Sequence, residues 1–175
     1  SSFFCRRTMP TVEFSGAQDV DPVTGAVQWT NMPVNLTVTA SDAVVGIDDL
    51  CTDGPRELGP CENDSDGNGV ITFNLDPIAA ADGGVVQRDV FATGTDLLGN
   101  QTTVSTPVRI DGAAPVVTIT TTPAPNAADW NNTETEVTFT VTATDEGSGL
   151  EEVCLVTNDA EDCTVIELDE NGEFT

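Results

Sequence analysis

Between positions 64 and 71 the chain reads Asp64-Ser65-Asp66-Gly67-Asn68-Gly69-Val70-Ile71, which matches the first eight positions of an EF-type calcium loop. That geometry needs side-chain oxygens at its first, third and fifth positions, here Asp64, Asp66 and Asn68. It also needs a glycine to turn at the sixth and an apolar residue at the eighth. The twelfth position should hold a bidentate Glu; here it is Leu75, and the nearest carboxylate, Asp76, stands one residue late. No helices are expected on either side. The competing reading is a plain acidic turn, because Asn-Gly is by itself a hairpin signal.

Cysteine is the second residue type with chemistry to offer. Cys51 and Cys61 are ten apart, and Cys154 and Cys163 nine apart. One local disulfide per pair, clamping a strand to the loop after it, is the simplest account, and it implies an oxidising compartment. Closing so short a loop contributes roughly 2–3 kcal/mol. A zinc site is the rival reading, but each pair stands alone and the chain has no histidine to complete four ligands. Cys5 is left over, for a partner upstream or in another chain.

Catalysis has little to work with. Without histidine there is no Ser-His-Asp or Cys-His machinery, and without lysine there is neither a Schiff base nor a Walker loop. Carboxylate pairs for glycoside hydrolysis are not excluded by composition, yet none sits in a distinctive motif. The chain therefore reads as non-catalytic.

Thirty Asp and Glu against five basic residues, all arginine, give the 175-residue chain a formal charge of −25. A polyanion repels nucleic acid and anionic lipid, so neither is an expected partner. It attracts cations and repels itself, so salt favours its compact form. No stretch approaches the apolar length of a membrane span. Ser1 to Pro10 lacks the apolar core of a signal peptide, so a secretion signal is expected upstream or already removed. Asn-x-Ser/Thr triplets occur at Asn35, Asn63, Asn100 and Asn131; in Thr-rich sequence they are weak signals of glycosylation.

These residues sit in a duplicated frame. Leu36-Thr37-Val38-Thr39-Ala40-Ser41-Asp42 aligns with Phe139-Thr140-Val141-Thr142-Ala143-Thr144-Asp145 at an offset of 103 residues. The alignment continues without a gap through Gly46 and Gly149, Ile47 and Leu150, and Cys51 and Cys154. Asn68-Gly69 falls on Asn171-Gly172, where Asp169-Glu170-Asn171-Gly172 reads as a hairpin turn. Trp29 matches Trp130, both expected in core or sandwich-end positions. Alternation in Val34-Leu36-Val38-Ala40 and Val137-Phe139-Val141-Ala143 predicts strands with one buried and one wet face. Short Val/Thr-rich strands punctuated by Gly and Pro argue against disorder and for an all-β fold of sandwiches.

The boundaries that follow are a possible last strand of a preceding repeat over 1–8, repeat one over 9–112 and repeat two over 113–175. By the 103 offset, Thr175 corresponds to Thr72, so repeat two lacks counterparts of the end of repeat one: a strand and Asp/Gly/Asn turn over Val90 to Asn100, then a last strand read from Thr103-Val104-Ser105 and Val108-Arg109-Ile110.

Three segments, Arg109-Ile110-Asp111-Gly112-Ala113-Ala114-Pro115, Ala143-Thr144-Asp145-Glu146-Gly147-Ser148-Gly149-Leu150 and Gly94-Thr95-Asp96-Leu97-Leu98-Gly99-Asn100, resemble bacterial Ig-like repeats of large surface and secreted proteins. The resemblance spans nearly the whole chain. It implies tandem immunoglobulin-like β-sandwiches, the second incomplete. It also implies a spacer role and, in some members, calcium at domain junctions. Asp111, in the expected linker, is the candidate ligand there, with Asp42, Asp96 and Asp145 at turns. Unit one departs from the pattern at Ala43-Val44-Val45-Gly46, where unit two has Glu146-Gly147-Ser148-Gly149.

The expected function is a structural repeat of an extracellular or cell-surface stalk, adhesin or fibre, whose partners are neighbouring repeats or subunits of the same protein. Two alternatives stand beside it: a filament subunit assembled by strand complementation, and an accessory or spacer module of a secreted enzyme.

Overall fold

The structure, a computed structural model, describes residues 8–54, 57–132, 134, 136–156, 164–169 and 173–174. Among them are β-strands in antiparallel sheets and no helix. The chain divides between Gly112 and Ala113 into two compact units.

Unit one is built from β1 (Thr11–Ser15), β2 (Thr37–Ser41), β3 (Ile47–Gly54), β4 (Glu57–Asn63), β5 (Val70–Asn74), β6 (Val85–Asp96) and β7 (Gln101–Asp111). Two sheets form, one in the order β1-β2-β5 and one in the order β4-β3-β6-β7. Alternation decides which side chains lie between them. Val34, Leu36, Val38 and Ala40, the expected inward set, are all buried. Val34 joins the sheet only through a bridge to Ile78, just before β2 begins. From the facing sheet come Ile47, Leu50, Val90, Ala92, Val108 and Ile110, and these residues make two adjoining core clusters that share Phe14 and Leu75.

β6 and β7 form a long hairpin paired from Val85↔Asp111 to Thr95↔Gln101. It is longer than the sequence suggests, because β7 runs unbroken through Pro107. Proline donates no ladder bond, and β7 is an edge strand that can spare one. Gly94 is required on the inner face of β6. A Cβ there would lie 2.8 Å from Val12 Cγ2 and 3.2 Å from the Ala40 Cβ.

The segment between β1 and β2 crosses to the other sheet. Thr30 bridges Ile110 in parallel, and the Asp111 N–H donates to the Thr30 carbonyl at 2.8 Å. Gln18 clamps the same strand, donating to the Arg109 carbonyl at 2.8 Å and accepting from the Arg109 N–H at 2.7 Å.

Unit two has β8 (Val116–Thr122), β9 (Thr138–Thr144), β10 (Val153–Leu155), β11 (Thr164–Ile166) and β12 (Glu173–Phe174). The order β12-β9-β8 repeats β5-β2-β1 of unit one, and Val116↔Thr144 repeats Thr11↔Ser41. β12 departs from the repeat. Phe174 pairs with Val141, whereas the β5 register carried over by 103 residues would set it opposite Ala143. A slip of two residues keeps every side chain on its own face. β10 pairs with β11 in a separate two-stranded sheet.

Candidate functional site: the acidic end of unit one

Three Asp-led turns meet where β2 ends, where β5 begins and where β6 turns into β7. Asp42 follows β2, and its Oδ1 accepts the Val44 and Val45 N–H groups, each at 2.8 Å. Gly46 closes this turn at φ +92°, its N–H donating to the Asp42 carbonyl at 3.1 Å. The turn therefore forms despite the departure of Ala43-Val44-Val45-Gly46 from the pattern in unit two. Asp96 Oδ1 accepts the Leu98 and Asn100 N–H groups, and its Oδ2 accepts the Asn100 side-chain amide at 2.6 Å. Asp64 accepts from Gly67 at 2.9 Å and from Gly69 at 2.7 Å.

The turns are joined through their backbones. The Asp42 N–H donates to the Gly69 carbonyl, and the Leu97 N–H to the Gly46 carbonyl, each at 3.2 Å. A cleft of about 320 Å³ lies among them, lined by Asp42, Val44, Gly46, Asp64, Asn68 and Leu97.

The electrostatics follow from these amides. The Val45 and Val44 N–H groups hold the Asp42 carboxyl below its ordinary value, against the opposing effects of burial and of neighbouring Asp96. The Gly69 amide does the same for Asp64. Away from this end, the Thr24 and Val23 amides lower Asp21.

The calcium-loop residues can now be placed. Asp64, Asp66 and Asn68 do lie in one loop, but their oxygens accept from the loop itself. Asp66 takes the Asn68 N–H at 3.2 Å and its side-chain amide at 2.8 Å, and Asn68 Oδ1 takes the Val70 N–H at 2.7 Å. Ile71, at the eighth position, is buried as the geometry asks. Leu75, at the twelfth, packs against the core and supplies no oxygen. The residues present thus fit the turn and leave the closing ligand unfilled. Among the described residues no three His, Cys, Asp or Glu side chains gather as a metal site. Nor is Asn68-Gly69 a hairpin turn. It links β4 to β5, which belong to different sheets. Glu170, Asn171 and Gly172, the matching segment of unit two, lie outside the described residues.

Asp111 is not in a linker. It is the last residue of β7, buried and paired with Val85. The hairpin turn containing Asp96 closes the other end of that ribbon. At about 3.3 Å per residue the two carboxylates are about 35 Å apart along the strand, so Asp111 cannot share an ion with Asp42 and Asp96 of its own unit. Asp145 caps its turn in unit two, accepting from Gly147 at 3.0 Å and Gly149 at 2.9 Å.

Cys51 and Cys61 are joined, with Cα atoms 4.1 Å apart. The residue after the expected loop turns out to be strand. Cys61 lies in β4 directly opposite Cys51 in β3, so the bond links two neighbouring strands of one sheet. Cys154 is also disulfide-bonded. Cys163 and Cys5 lie outside the described residues.

No protein-family model matches the chain, and no curated protein matches it either.

The two tryptophans part company. Trp29 is half-buried and lines an open cleft of about 440 Å³ with Gln18, Asp19, Gln28 and Asn35. Trp130 is 73 % exposed, contrary to the expected core or sandwich-end packing. Of the four triplet asparagines, Asn35 and Asn63 are exposed, Asn131 is half-buried and Asn100 is buried against Asp96. The sequence did not show that the turns are joined to one another, because carbonyl-to-amide links between distant loops leave no residue-type signature. No helix among the described residues is long and apolar enough to cross a membrane.

Proposed function

We propose that this chain is a non-catalytic structural segment of tandem immunoglobulin-like β-sandwiches in an extracellular surface stalk, adhesin or fibre. The observation that carries this reading is where the strands of unit one begin and end. Thr11, first in β1, pairs with Ser41 beside the acidic turns. Asp111, last in β7, lies at the far end of the β6–β7 ribbon. A unit entered at one pole and left at the other adds its full length to whatever it is joined to in series.

The seven strands in two sheets agree with the immunoglobulin-like architecture. The Cys51–Cys61 disulfide goes with an oxidising compartment. The Thr30–Ile110 bridge and the Gln18 clamp set the segment between β1 and β2 beside the leaving strand. Tension along the chain then loads those bonds in shear.

Pulling the full chain in a single-molecule force experiment tests this. Unit one should yield in one discrete step. Reductant should lengthen that step by about 30–35 Å, the contour of the ten-residue separation of Cys51 and Cys61. Smooth extension at low force would overturn a load-bearing role. A filament subunit assembled by strand complementation is the second reading, favoured by the exposure of Val117, Ile119 and Phe139 in unit two. Sedimentation that shows only dispersed monomers at high concentration would remove it.

A further inference from the structure

The segment between β1 and β2 builds a second site on unit one, at the other end of β1 from the acidic turns. Gly16 turns the chain out of β1 at φ +78°, and a Cβ there would run into the Asn35 carbonyl, so the two ends of the segment lie close together. Between them the chain doubles back. Val20 bridges Val27, and the Gln28 N–H donates to the Asp19 carbonyl at 2.9 Å. Gln18 fixes this small hairpin to the sheet, its side-chain amide donating to the Gln28 carbonyl at 3.0 Å as well as to β7. Asp19, Gln28 and Asn35 therefore stand on backbone that is held in place, and with Trp29 they line the open cleft of about 440 Å³.

These groups limit what the cleft can hold. The side chains of Asp19, Gln28 and Asn35 are exposed and hydrogen-bond to nothing among the described residues. A carboxylate accepts, and a carboxamide both accepts and donates, so together they suit neighbouring hydroxyl groups, which do both. Trp29 is half-buried and brings a large aromatic surface for C–H groups to pack on. Among the described residues no arginine lines the cleft, and the chain has neither lysine nor histidine. A phosphate, sulfate or carboxylate ligand would meet only Asp19 and a chain of charge −25. Besides Trp29 the apolar lining is Pro33 and Val34, too little for a lipid.

We propose that the Trp29 cleft binds a neutral glycan, seating one pyranose ring against the indole while Asp19, Gln28 and Asn35 take its hydroxyl groups. A pyranose with equatorial hydroxyls carries C–H groups on its faces and hydroxyls around its rim, so one ring answers the aromatic and the polar groups together. An open cleft suits a sugar within a longer chain, whose neighbours must leave on both sides. The inference does not depend on the stalk reading, because it concerns unit one alone.

The chain has two tryptophans and no tyrosine, so Trp130→Phe leaves Trp29 as the sole emitter under tryptophan excitation. The test titrates that full-chain variant with cellohexaose and, separately, with fully N-acetylated chitohexaose, both neutral and equatorially substituted. At least one should give a saturable change in emission with half-saturation at or below about 1 mM. Adding Asp19→Ala, which removes an exposed carboxylate, should weaken that binding about tenfold or more and leave the denaturation midpoint in place. The proposal is overturned if neither sugar gives a saturable change, or if Asp19→Ala leaves the titration as it was. Choline chloride is the third probe, since a quaternary ammonium also favours an aromatic face beside a carboxylate. A response to choline with none to either sugar would assign the cleft to organic cations and overturn the proposal. Failure here with a discrete force step for unit one removes the glycan and leaves the stalk reading. A missing force step removes the stalk reading instead.

Discussion

β2 and β9 carry nearly the same sequence, yet they live in different surroundings. Leu36 is 2 % exposed and Phe139, its counterpart, 57 %; Ile47 is 1 % exposed and Leu150 36 %. The Asp-capped turn after each strand forms in both units, and so does pairing with the preceding strand. What differs among the described residues is the β6–β7 ribbon, which covers Leu36 in unit one; in unit two Val141 and Ala143 are buried while Phe139 is not. Strand alternation and turn capping are local properties of a sequence. Burial depends on what packs over the strand, and a residue acquires its energetic role from that cover.

The contrast can be broken most directly at the paired core positions. Leu36→Ala should destabilise unit one by about 2–5 kcal/mol, and Phe139→Ala should change stability by no more than about 0.5 kcal/mol. Chemical denaturation followed by near-ultraviolet circular dichroism reads both. Equal effects would mean that the two faces are equally covered in solution.

Next in size is the disulfide. Cys51→Ser paired with Cys61→Ser should cost unit one about 2–3 kcal/mol, seen as a lower denaturation midpoint that reductant no longer moves. Gly94→Val follows at about 1–3 kcal/mol, from crowding against Val12 and Ala40. The loss should largely vanish when Val12→Ala is added, as a double-mutant cycle would measure.

A smaller effect concerns acid. The folded-state pKa values of Asp42 and Asp64 lie below the ordinary 3.8. Their stabilisation is therefore complete above that value and is lost as pH falls through the lowered folded values. Unit one should weaken on acidification below about pH 4, and Asp42→Asn should flatten that limb of the stability–pH curve. The smallest expected effect is that of salt. Screening a chain of charge −25 should raise the melting midpoint modestly between low and physiological ionic strength.

Much of unit one was legible in the sequence for physical reasons. Period-two alternation in Val34-Leu36-Val38-Ala40 marked a half-buried strand, and Asp96-Leu97-Leu98-Gly99-Asn100 marked a turn, where Gly99 takes a positive φ. Asn68-Gly69 misled, because the same residues that close hairpins also suit a crossing between sheets. Pro107 hid the length of β7, because proline breaks a strand only where its missing donor is needed. The exposure of Trp130 was not legible. Its counterpart Trp29 lies in the segment that Gln18 and Thr30 tie to β7, and no strand corresponding to β7 is among the described residues of unit two. At the candidate site the capping role of each aspartate could be read from Asp followed by glycine, but the links between one turn and the next could not.

The β6–β7 ribbon also bears on digestion. The chain has no lysine and only five arginines, and Arg88 and Arg109 are two of them. Both lie within paired strands, Arg88 opposite Val108 and Arg109 opposite Gln87. A trypsin-like protease must draw a free, extended segment into its cleft, which a residue held in a ladder does not offer. Cleavage after either arginine therefore requires the ribbon to lift first. When reclosing outpaces cutting, the rate of cleavage measures how often it does so.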